Sequence, residues 1–404
     1  MTTPPSPLLR LTERLGLLSV LYYSQGLPFA FLTQALPALM RERGVDLRAI
    51  GLATLLGIPW GLKFLWAPWI DPLPRRLVLL PLQAITVVLL AAIAFLEPVA
   101  AASLAPVLVL CLAVNLVSAT QDIAADGLAV GMLAPGERGA GNAVQVGVHR
   151  MGMIVGGGLL LRTWGVLGWS GTFLTMAGMI ALASLPLLVW RPPPRIAGAF
   201  APRIRLGDWL SRPGALAWLG LLVACKAGDA LASGMLRPFL QDLKMPIEEV
   251  GDMLGILGFS TGLAGALTGG VLADRFGRRR TLLLATALEA AALALFVLPA
   301  AGYPQSWLWP IAGIESFTTG IVTAAVFTVM MDVCRPGQGA TDFTVPASAL
   351  AIGPGIFGAL SGFVAKGLGY PAHFMLASAL AFAGVAYLIA YRGRPPFRLD
   401  APVE

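Results

Sequence analysis

The chain has 404 residues, of which 57% are hydrophobic and only 12% are charged, and its mean hydropathy is +0.78. A soluble globular domain carries about 25% charged residues, so this composition excludes an ordinary soluble domain and indicates an integral membrane protein. The formal net charge of +7 is spread over many loops and forms no single basic patch. We therefore predict membrane lipids, and no nucleic acid, as partners.

Twelve apolar segments are each long enough to cross the bilayer, which takes about 20 residues. They are residues 15–40, 49–70, 77–97, 104–132, 141–163, 166–190, 214–241, 250–273, 281–299, 308–331, 343–366 and 371–391. The predicted fold class is an all-α integral membrane protein with twelve transmembrane helices. Most of the 28 lysines and arginines fall on the side of the amino terminus, so the positive-inside rule places both termini in the cytoplasm.

Short motifs recur about 200 residues apart, which is typical of two parallel repeats related by an axis along the membrane normal. The stretch PGERGAG at 135–141, for example, recurs as PGQGAT at 336–341. The sequence therefore predicts an N-terminal six-helix half at 1–190, a cytoplasmic linker rich in arginine and proline at 191–213, and a C-terminal six-helix half at 214–404.

Two predicted cytoplasmic loops carry an acid followed by arginines. The second-half loop reads Gly270-Val-Leu-Ala-Asp274-Arg275-Phe-Gly277-Arg278-Arg279-Arg280, and it resembles the signature loop of the major facilitator superfamily. The first-half loop keeps Asp71, Arg75 and Arg76 but lacks the glycines. Glycines let helices approach, and the acid can accept from a helix amino terminus or pair with arginine, so we expect a cytoplasmic gate here. For Arg75 and Arg76, simple positive-inside decoration is the alternative.

Six further motifs are spread over nearly the whole chain. They are Tyr23-Ser-Gln25-Gly26-Leu-Pro28, Lys63-Phe-Leu-Trp66-Ala-Pro68, Gln121-Asp122-Ile-Ala-Ala-Asp126, Arg138-Gly139-Ala-Gly141, Arg150-Met-Gly152-Met and Lys226-Ala-Gly228-Asp229. Together they resemble the AmpG-like permeases, which import bulky solutes across the bacterial inner membrane. The resemblance implies secondary active transport of a small-molecule or glycopeptide solute. Muropeptide permeases and a siderophore-importing branch of the RhtX/FptX type both stay open, and residues 142–147 and 340–344 look nearer to the siderophore branch.

Polar residues at predicted membrane depth fall largely on the first, fourth, seventh and tenth segments, which line the central cavity in this fold. The candidates are Tyr23, Gln25, Gln121, Asp122, Asp126, Lys226, Asp229 and Glu315, with Arg150 on the fifth segment. Ionisable groups are costly in lipid and mark substrate or proton pathways. Asp122 and Asp126 share one helix face, and burial disfavours the charged form of a carboxylate, which suits a proton carrier.

Static ion pairs are the alternative interpretation of these charges. Arg150 with His149 would neutralise Asp122 or Asp126, and Lys226 would neutralise Asp229. Two acids on one face exceed what a single Arg150 neutralises, which favours a functional role for that pair. We expect Lys63 to extend towards the membrane surface, Glu289 to be a packing or lipid-edge residue, and the glycines at 156–158 to pack closely against a partner helix.

Known catalytic motifs are missing from the sequence, which has neither a Gly-x-Ser-x-Gly elbow, nor a P-loop, nor a His-Glu-x-x-His pair. We therefore predict a transporter and not an enzyme, without ATP, cofactor or metal, working as a monomer. The expected mechanism is alternating access, in which proton binding at an acid of the fourth segment is coupled to solute import. An efflux transporter of the same fold is the alternative, because direction rests on the resemblance alone. A receptor or scaffold is disfavoured, since it would need no row of polar groups.

Overall fold

The computed structural model describes residues 7–31, 54–96, 104–190 and 206–399. Every regular element in these ranges is helical. The long helices are α1 Pro7–Ala30, α2 Arg75–Ala94, α3 Leu104–Met132, α4 Arg138–Met153, α5 Trp164–Val189, α6 Ala215–Asp242, α7 Gly258–Phe276, α8 Arg278–Leu295, α9 Leu308–Asp332 and α10 Gly339–Ala390. Shorter helical segments are Thr54–Gly57, Ile58–Leu62, Lys63–Leu65, Ala67–Ile70, Pro135–Glu137, Ile154–Leu159, Leu160–Arg162, Leu206–Leu210, Ile247–Gly251, Asp252–Leu257, Val297–Ala300 and Gln305–Trp307.

By length and composition, eight helices within the described ranges can cross a membrane. They are Arg75–Ala94, Ala105–Met132, Trp164–Val189, Ala215–Asp242, Glu249–Phe276, Arg278–Ala300, Gln305–Asp332 and Gly339–Ala390. Helix α8 shows how a lipid-facing helix is built, because it exposes Leu284 and Leu288 and buries Thr286 and Glu289. The predicted all-helical membrane protein is confirmed, whereas the count of twelve spans stays a prediction.

The predicted second segment is, from residue 54 onward, a run of short helical turns and not one continuous helix. Pro59 and Pro68 each lie in the first turn of one of these short helices. Because proline has no backbone N–H to donate to the preceding turn, each one interrupts the helix before it. Residues 32–40 of the first segment, 49–53 of the second and 191–205 of the linker lie outside the described residues.

The predicted fifth, eleventh and twelfth segments also differ from simple helices. Helix α4 passes into a π-helical segment at Ile154–Leu159 before its last turn. The eleventh and twelfth segments lie in the single run α10, which spans 52 residues. Gly369 inside α10 has φ of +77°, a conformation that breaks helical geometry and that glycine adopts readily. This break separates the two predicted segments.

Packing divides the chain into two units, each with an aromatic core. The first contains Met1–Leu133, Val148–Ile204 and Arg335–Thr344, and the second contains Ala134–Gly147, Arg205–Cys334 and Val345–Glu404. In the first unit Phe31, Trp169 and Phe173 belong to one buried cluster. In the second unit Phe239, Phe296 and Phe374 do so. The domain boundaries expected from the sequence stay a prediction.

Helix α1 lies against α4 and the π-helical segment of the first unit at backbone contact. A Cβ atom on Gly26 would lie 2.2 Å from the carbonyl oxygen of His149, and one on Gly156 would lie 2.1 Å from that of Leu27. Gly158 has nothing within 4 Å of such a position. The expected close packing is therefore confirmed for Gly156 and wrong for Gly158. Small residues commonly allow this approach between membrane helices.

We expect Gly156→Ala to destabilise the protein by about 1–3 kcal/mol, because the added methyl group overpacks a backbone contact. The matched control is Gly158→Ala, two residues away in the same segment, where the methyl group meets open space. Thermal unfolding of the detergent-solubilised protein measures the difference. Equal melting temperatures for the two variants would contradict the backbone contact between α1 and the π-helical segment.

Candidate functional site

The first unit buries an ion pair between Lys63 and Asp122, whose Nζ and Oδ2 atoms are in direct contact. Lys63 is only 4% exposed, and it lies on the short turn Lys63–Leu65. Its Nζ also lies 5.5 Å from the centre of the Trp60 ring. The expectation that Lys63 extends to the membrane surface is therefore wrong. The broken helix preceding it turns the side chain inward, where it meets α3.

Asp126 lies one turn after Asp122 on α3 and is 1% exposed. Its Oδ1 atom accepts a hydrogen bond of 2.9 Å from the hydroxyl of Tyr22 on α1. His149 on α4 lies within electrostatic reach of Asp122, Lys63 and Arg150. The structure thus gathers α1, α3, α4 and the segment around Lys63 about the two acids. Lys63 is thus a cation paired with Asp122 that the sequence interpretation did not propose, whereas neutralisation of Asp122 or Asp126 by Arg150 or His149 stays a prediction.

The other first-unit candidates have different surroundings. Gln121 donates its amide N–H to Thr86 on α2 over 2.8 Å. Tyr23 packs against the hydrophobic cluster, and Arg150 is partly buried. Gln25 is 1% exposed, and neither its amide nitrogen nor its amide oxygen has a hydrogen-bond partner in the described part of the unit.

The second unit holds a separate buried cluster of one lysine and three acids. Lys226 Nζ lies 2.6 Å from Asp229 Oδ2 on the same helix, α6, and 3.5 Å from Glu289 Oε1 on α8. The Thr319 hydroxyl on α9 lies 2.7 Å from Glu289 Oε1 and 3.1 Å from Glu315 Oε1. The structure therefore brings the predicted residues Lys226, Asp229 and Glu315 together.

Glu289 and Thr319 complete this second-unit cluster, and the sequence interpretation missed both. Glu289 is fully buried, so of the two expected places, in helix packing or at the lipid edge, the lipid edge is wrong. A signal was present in α8, where Glu289 follows Thr286 by three residues while Leu284 and Leu288 occupy the exposed face. Helical periodicity alone would have placed Glu289 with the small and polar face.

In the first unit Asp71 closes the amino terminus of α10. Its carboxylate accepts backbone N–H groups from Ala340 at 2.9 Å and Thr341 at 3.0 Å, and also the Thr341 hydroxyl. Arg75 donates to Asp71 Oδ1 at 3.1 Å and to the Ile70 carbonyl at 2.5 Å. A negative charge is favoured at a helix amino terminus because of the unpaired N–H groups there.

In the second unit Asp274 makes the same arrangement with the start of α4. It accepts N–H groups from Gly139 at 3.1 Å and Ala140 at 3.2 Å. Arg278 donates to Asp274 Oδ1 at 2.9 Å and to the Ala273 carbonyl at 2.7 Å. Each loop thus pairs an acid with an arginine four residues later, and that arginine also bonds the carbonyl of the residue before the acid. Arg75 is buried in these bonds, so it is more than a surface charge.

The remaining predicted loop residues have distinct environments. Gly270 touches the start of α4, since a Cβ atom there would lie 2.3 Å from the Gly139 carbonyl oxygen. Gly277 forms the turn into α8 with φ of +87°, a conformation that favours glycine. Arg76 donates to the Leu188 carbonyl at the end of α5, and Arg279 donates to the Ile389 carbonyl at 3.1 Å. Arg275 is exposed.

Removing one partner of the Lys63–Asp122 pair leaves an unpaired buried charge, which typically costs about 3–5 kcal/mol. We therefore expect Lys63→Met and Asp122→Asn each to lower the melting temperature of the solubilised protein. The double variant is neutral at both positions and should recover most of the loss. Lys366→Met, at an exposed lysine, serves as the control. A double variant as unstable as the sum of the singles would contradict a direct charge pair.

Arg278 also donates hydrogen bonds to Asp332 and to the Pro135 carbonyl, each at 2.8 Å. Together with Asp274 and the Ala273 carbonyl, its guanidinium group therefore has four acceptors. Lysine keeps the charge but cannot reproduce this geometry. We expect Arg278→Lys to lower stability by about 1–3 kcal/mol through unsatisfied buried acceptors. Arg280→Lys, at an exposed arginine two residues on, should have no measurable effect. Equal thermal stability of the two variants would count against the network.

Comparison with known proteins identifies the family of this chain. The family model described as the Major Facilitator Superfamily matches residues 18–228 and 217–404. The anhydromuropeptide permease of Escherichia coli strain K12 is 31% identical over 403 residues, which cover 94% of this chain and 80% of the permease.

Solved structures show the same fold at lower identity. The crystal structure of the human organic anion transporter MFSD10 matches with a TM-score of 0.73 and 19% identity, covering 96% of this chain and 100% of that one. The proton:xylose symporter XylE matches with a TM-score of 0.73 and 9% identity, covering 98% of both chains. The helical fold and these similarities over nearly the whole length show that the chain belongs to the Major Facilitator Superfamily, as an AmpG-like membrane transporter and not an enzyme.

Proposed function

We propose that this transporter imports a muropeptide-class solute across the bacterial inner membrane by proton-coupled alternating access. The observation that carries the substrate class is the similarity to the anhydromuropeptide permease over 94% of the chain. A solute of this class combines sugar rings with a short peptide, so its recognition requires both hydrogen-bonding groups and charges. The buried polar clusters of both units supply groups of this kind.

Proton coupling is supported by the acids of α3. Asp122 and Asp126 lie on a helix that is apolar and long enough to span the bilayer, and both are buried. Ionisable groups in such a position are functional by default. Their partners, Lys63 and Tyr22, are a titratable amine and a hydroxyl that exchange hydrogen bonds with a carboxylate as its protonation changes. We propose that the pair, acting as one unit, binds the coupled proton.

Two of the residues that suggested a siderophore, Asn142 and Asp342, have structural partners. Asn142 donates to the Arg138 carbonyl at 2.7 Å within its own helix. Asp342 pairs with Arg335, whose NH2 lies 2.7 Å from Asp342 Oδ1. Because both side chains have partners in local structure, neither of them by itself favours a siderophore over a muropeptide. The muropeptide class is therefore the better-supported proposal.

The finer architecture forms part of the same proposal. We infer twelve spans with both termini in the cytoplasm, two six-helix halves at 1–190 and 214–404, a linker at 191–213, and a monomer in the membrane. The loops of Asp71 and Asp274 would then lie on the cytoplasmic side. Each binds a helix amino terminus by hydrogen bonds that can break and reform, and we propose that they serve as the cytoplasmic gate.

The proposal is tested by uptake of labelled anhydromuropeptide into proteoliposomes under an imposed proton gradient. Wild-type protein should accumulate the solute, and a protonophore should abolish accumulation. Asp122→Asn and Asp126→Asn should lose gradient-driven accumulation because a neutral amide cannot carry the proton. Asp252→Asn removes an exposed carboxylate of the second unit and should transport normally.

Each part of the proposal has its own contrary outcome. Undiminished gradient-driven uptake in both α3 variants would show that these acids do not couple the proton. Uptake of an iron–siderophore complex in preference to muropeptide would overturn the substrate class. Raised drug resistance on overexpression, without accumulation of either solute, would indicate an efflux transporter.

A further inference from the structure

The second unit places a single hydroxyl group between two buried carboxyl groups. Thr319 Oγ1 lies 2.7 Å from Glu289 Oε1 and 3.1 Å from Glu315 Oε1, so both distances are those of hydrogen bonds. Both acids are buried, and they come from different helices, α8 and α9. The hydroxyl therefore joins the two helices through their acids.

A hydroxyl group has one hydrogen to donate, and an ionised carboxylate can only accept. If both acids were ionised, Thr319 would donate to one of them and would face the other with a lone pair against a negative charge. Both short contacts are full two-centre hydrogen bonds only if one carboxyl group carries a proton. That carboxyl then donates to Thr319, which donates to the other acid.

The charges around the pair also favour a bound proton. The charged groups that face the two acids from the packed helices are Lys226 and Asp229 of α6, in addition to the acids themselves. Within the described part of this unit, one lysine therefore faces three carboxyl groups. With all three acids ionised, the lysine would compensate only one of the three negative charges, which is strongly unfavourable in a buried place, and one bound proton reduces this excess.

One oxygen of Glu289 supplies independent support. Its Oε2 atom is fully buried and has no hydrogen-bond partner among the described residues. An ionised carboxylate oxygen without a donor is far costlier to bury than an oxygen of a neutral carboxyl group. No surrounding side chain in the described ranges donates a hydrogen bond to this oxygen, so a neutral Glu289 carboxyl group fits the site better than an ionised one.

We propose that Glu289 and Glu315 share one proton through the hydroxyl of Thr319, which makes this cluster a proton-binding site separate from Asp122 and Asp126. In the shared state the protonated acid donates to Thr319 Oγ1, and Thr319 donates to the ionised acid. If the acid's proton moves to Thr319 Oγ1 as the Thr319 hydrogen moves to the other acid, the charge passes from one glutamate to the other. The total number of protons is unchanged.

A metal ion is a poorer occupant of this cluster than a proton. In the ranges that the structure describes, no group of His, Cys, Asp and Glu side chains is arranged to hold a metal ion. The ammonium of Lys226 also lies 3.5 Å from Glu289 Oε1 and would repel a second cation. A proton adds one positive charge and needs no coordination shell, so it fits where a metal does not.

Infrared spectroscopy of the purified full-length protein near neutral pH tests the site directly. We expect a carboxylic-acid C=O absorption that is lost in the double variant Glu289→Gln/Glu315→Gln. Thr319→Val should shift the absorption because the bridging hydroxyl is gone, while Thr319→Ser should leave its position unchanged. Glu13→Gln, at an exposed glutamate, is the control and should resemble wild type.

Two results would overturn the proposal. If the double variant keeps the whole absorption, the proton is not held by these two acids. If Thr319→Val leaves its position unchanged, the hydroxyl does not share the proton between them. Unfolding curves show which variants are folded, and the Thr319 pair keeps the test decisive even if the double variant does not fold.

The existence of this site does not require transport to be proton-driven, although any part it plays in the transport cycle rests on the proposed function. The two ideas therefore fail separately. If the C=O absorption depends on Glu289 and Glu315 but solute uptake does not depend on the proton gradient, the shared-proton site is supported and proton-coupled transport is refuted. Gradient-driven uptake without this absorption would do the reverse.

Discussion

The free-energy cost of burying a carboxylate in an apolar helical protein governs how the polar side chains of this transporter are arranged. Each buried acid at issue is met by a specific group. A lysine meets Asp122, a phenol meets Asp126, and backbone N–H groups at helix amino termini meet Asp71. Since water is scarce in the buried interior of such a protein, these partners come from the chain itself. These bonds join different helical elements within the first unit.

Much of this arrangement can be predicted from the sequence, because it depends on the spacing of residues that are close along the chain. Composition indicates the membrane, and apolar length indicates the spans. An acid followed four residues later by an arginine, as in Asp71–Arg75 and Asp274–Arg278, predicts a pair on one helical turn, and the structure shows both pairs. The i, i+3 spacing of Lys226 and Asp229 likewise predicts their contact. In all these cases the two partners share one helix or its adjoining loop.

Contacts between helices were harder to foresee, because they depend on rotation and breaks that spacing does not report. The sequence predicts that Lys63 extends to the membrane surface, but Pro59 and Pro68 divide that segment into short helical turns, and the side chain is buried against α3. Glu289 is far in sequence from its partners on α6 and α9, so no local spacing predicts those contacts. Thr319 carries no charge, and only its position between two acids gives it significance.

The two loop acids bind backbone N–H groups, and this choice of partner affects which sequence changes the transporter tolerates. The backbone bonds to Asp71 depend little on which side chains residues 340 and 341 carry. Substitutions at these two positions are therefore limited mainly by the size of the new side chain. The length of the turn before α10 matters more, because adding or removing one residue between Arg335 and Gly339 would rotate different amides towards the acid. Among related transporters, the number of residues in this turn and in the one before α4 should therefore vary less than their composition.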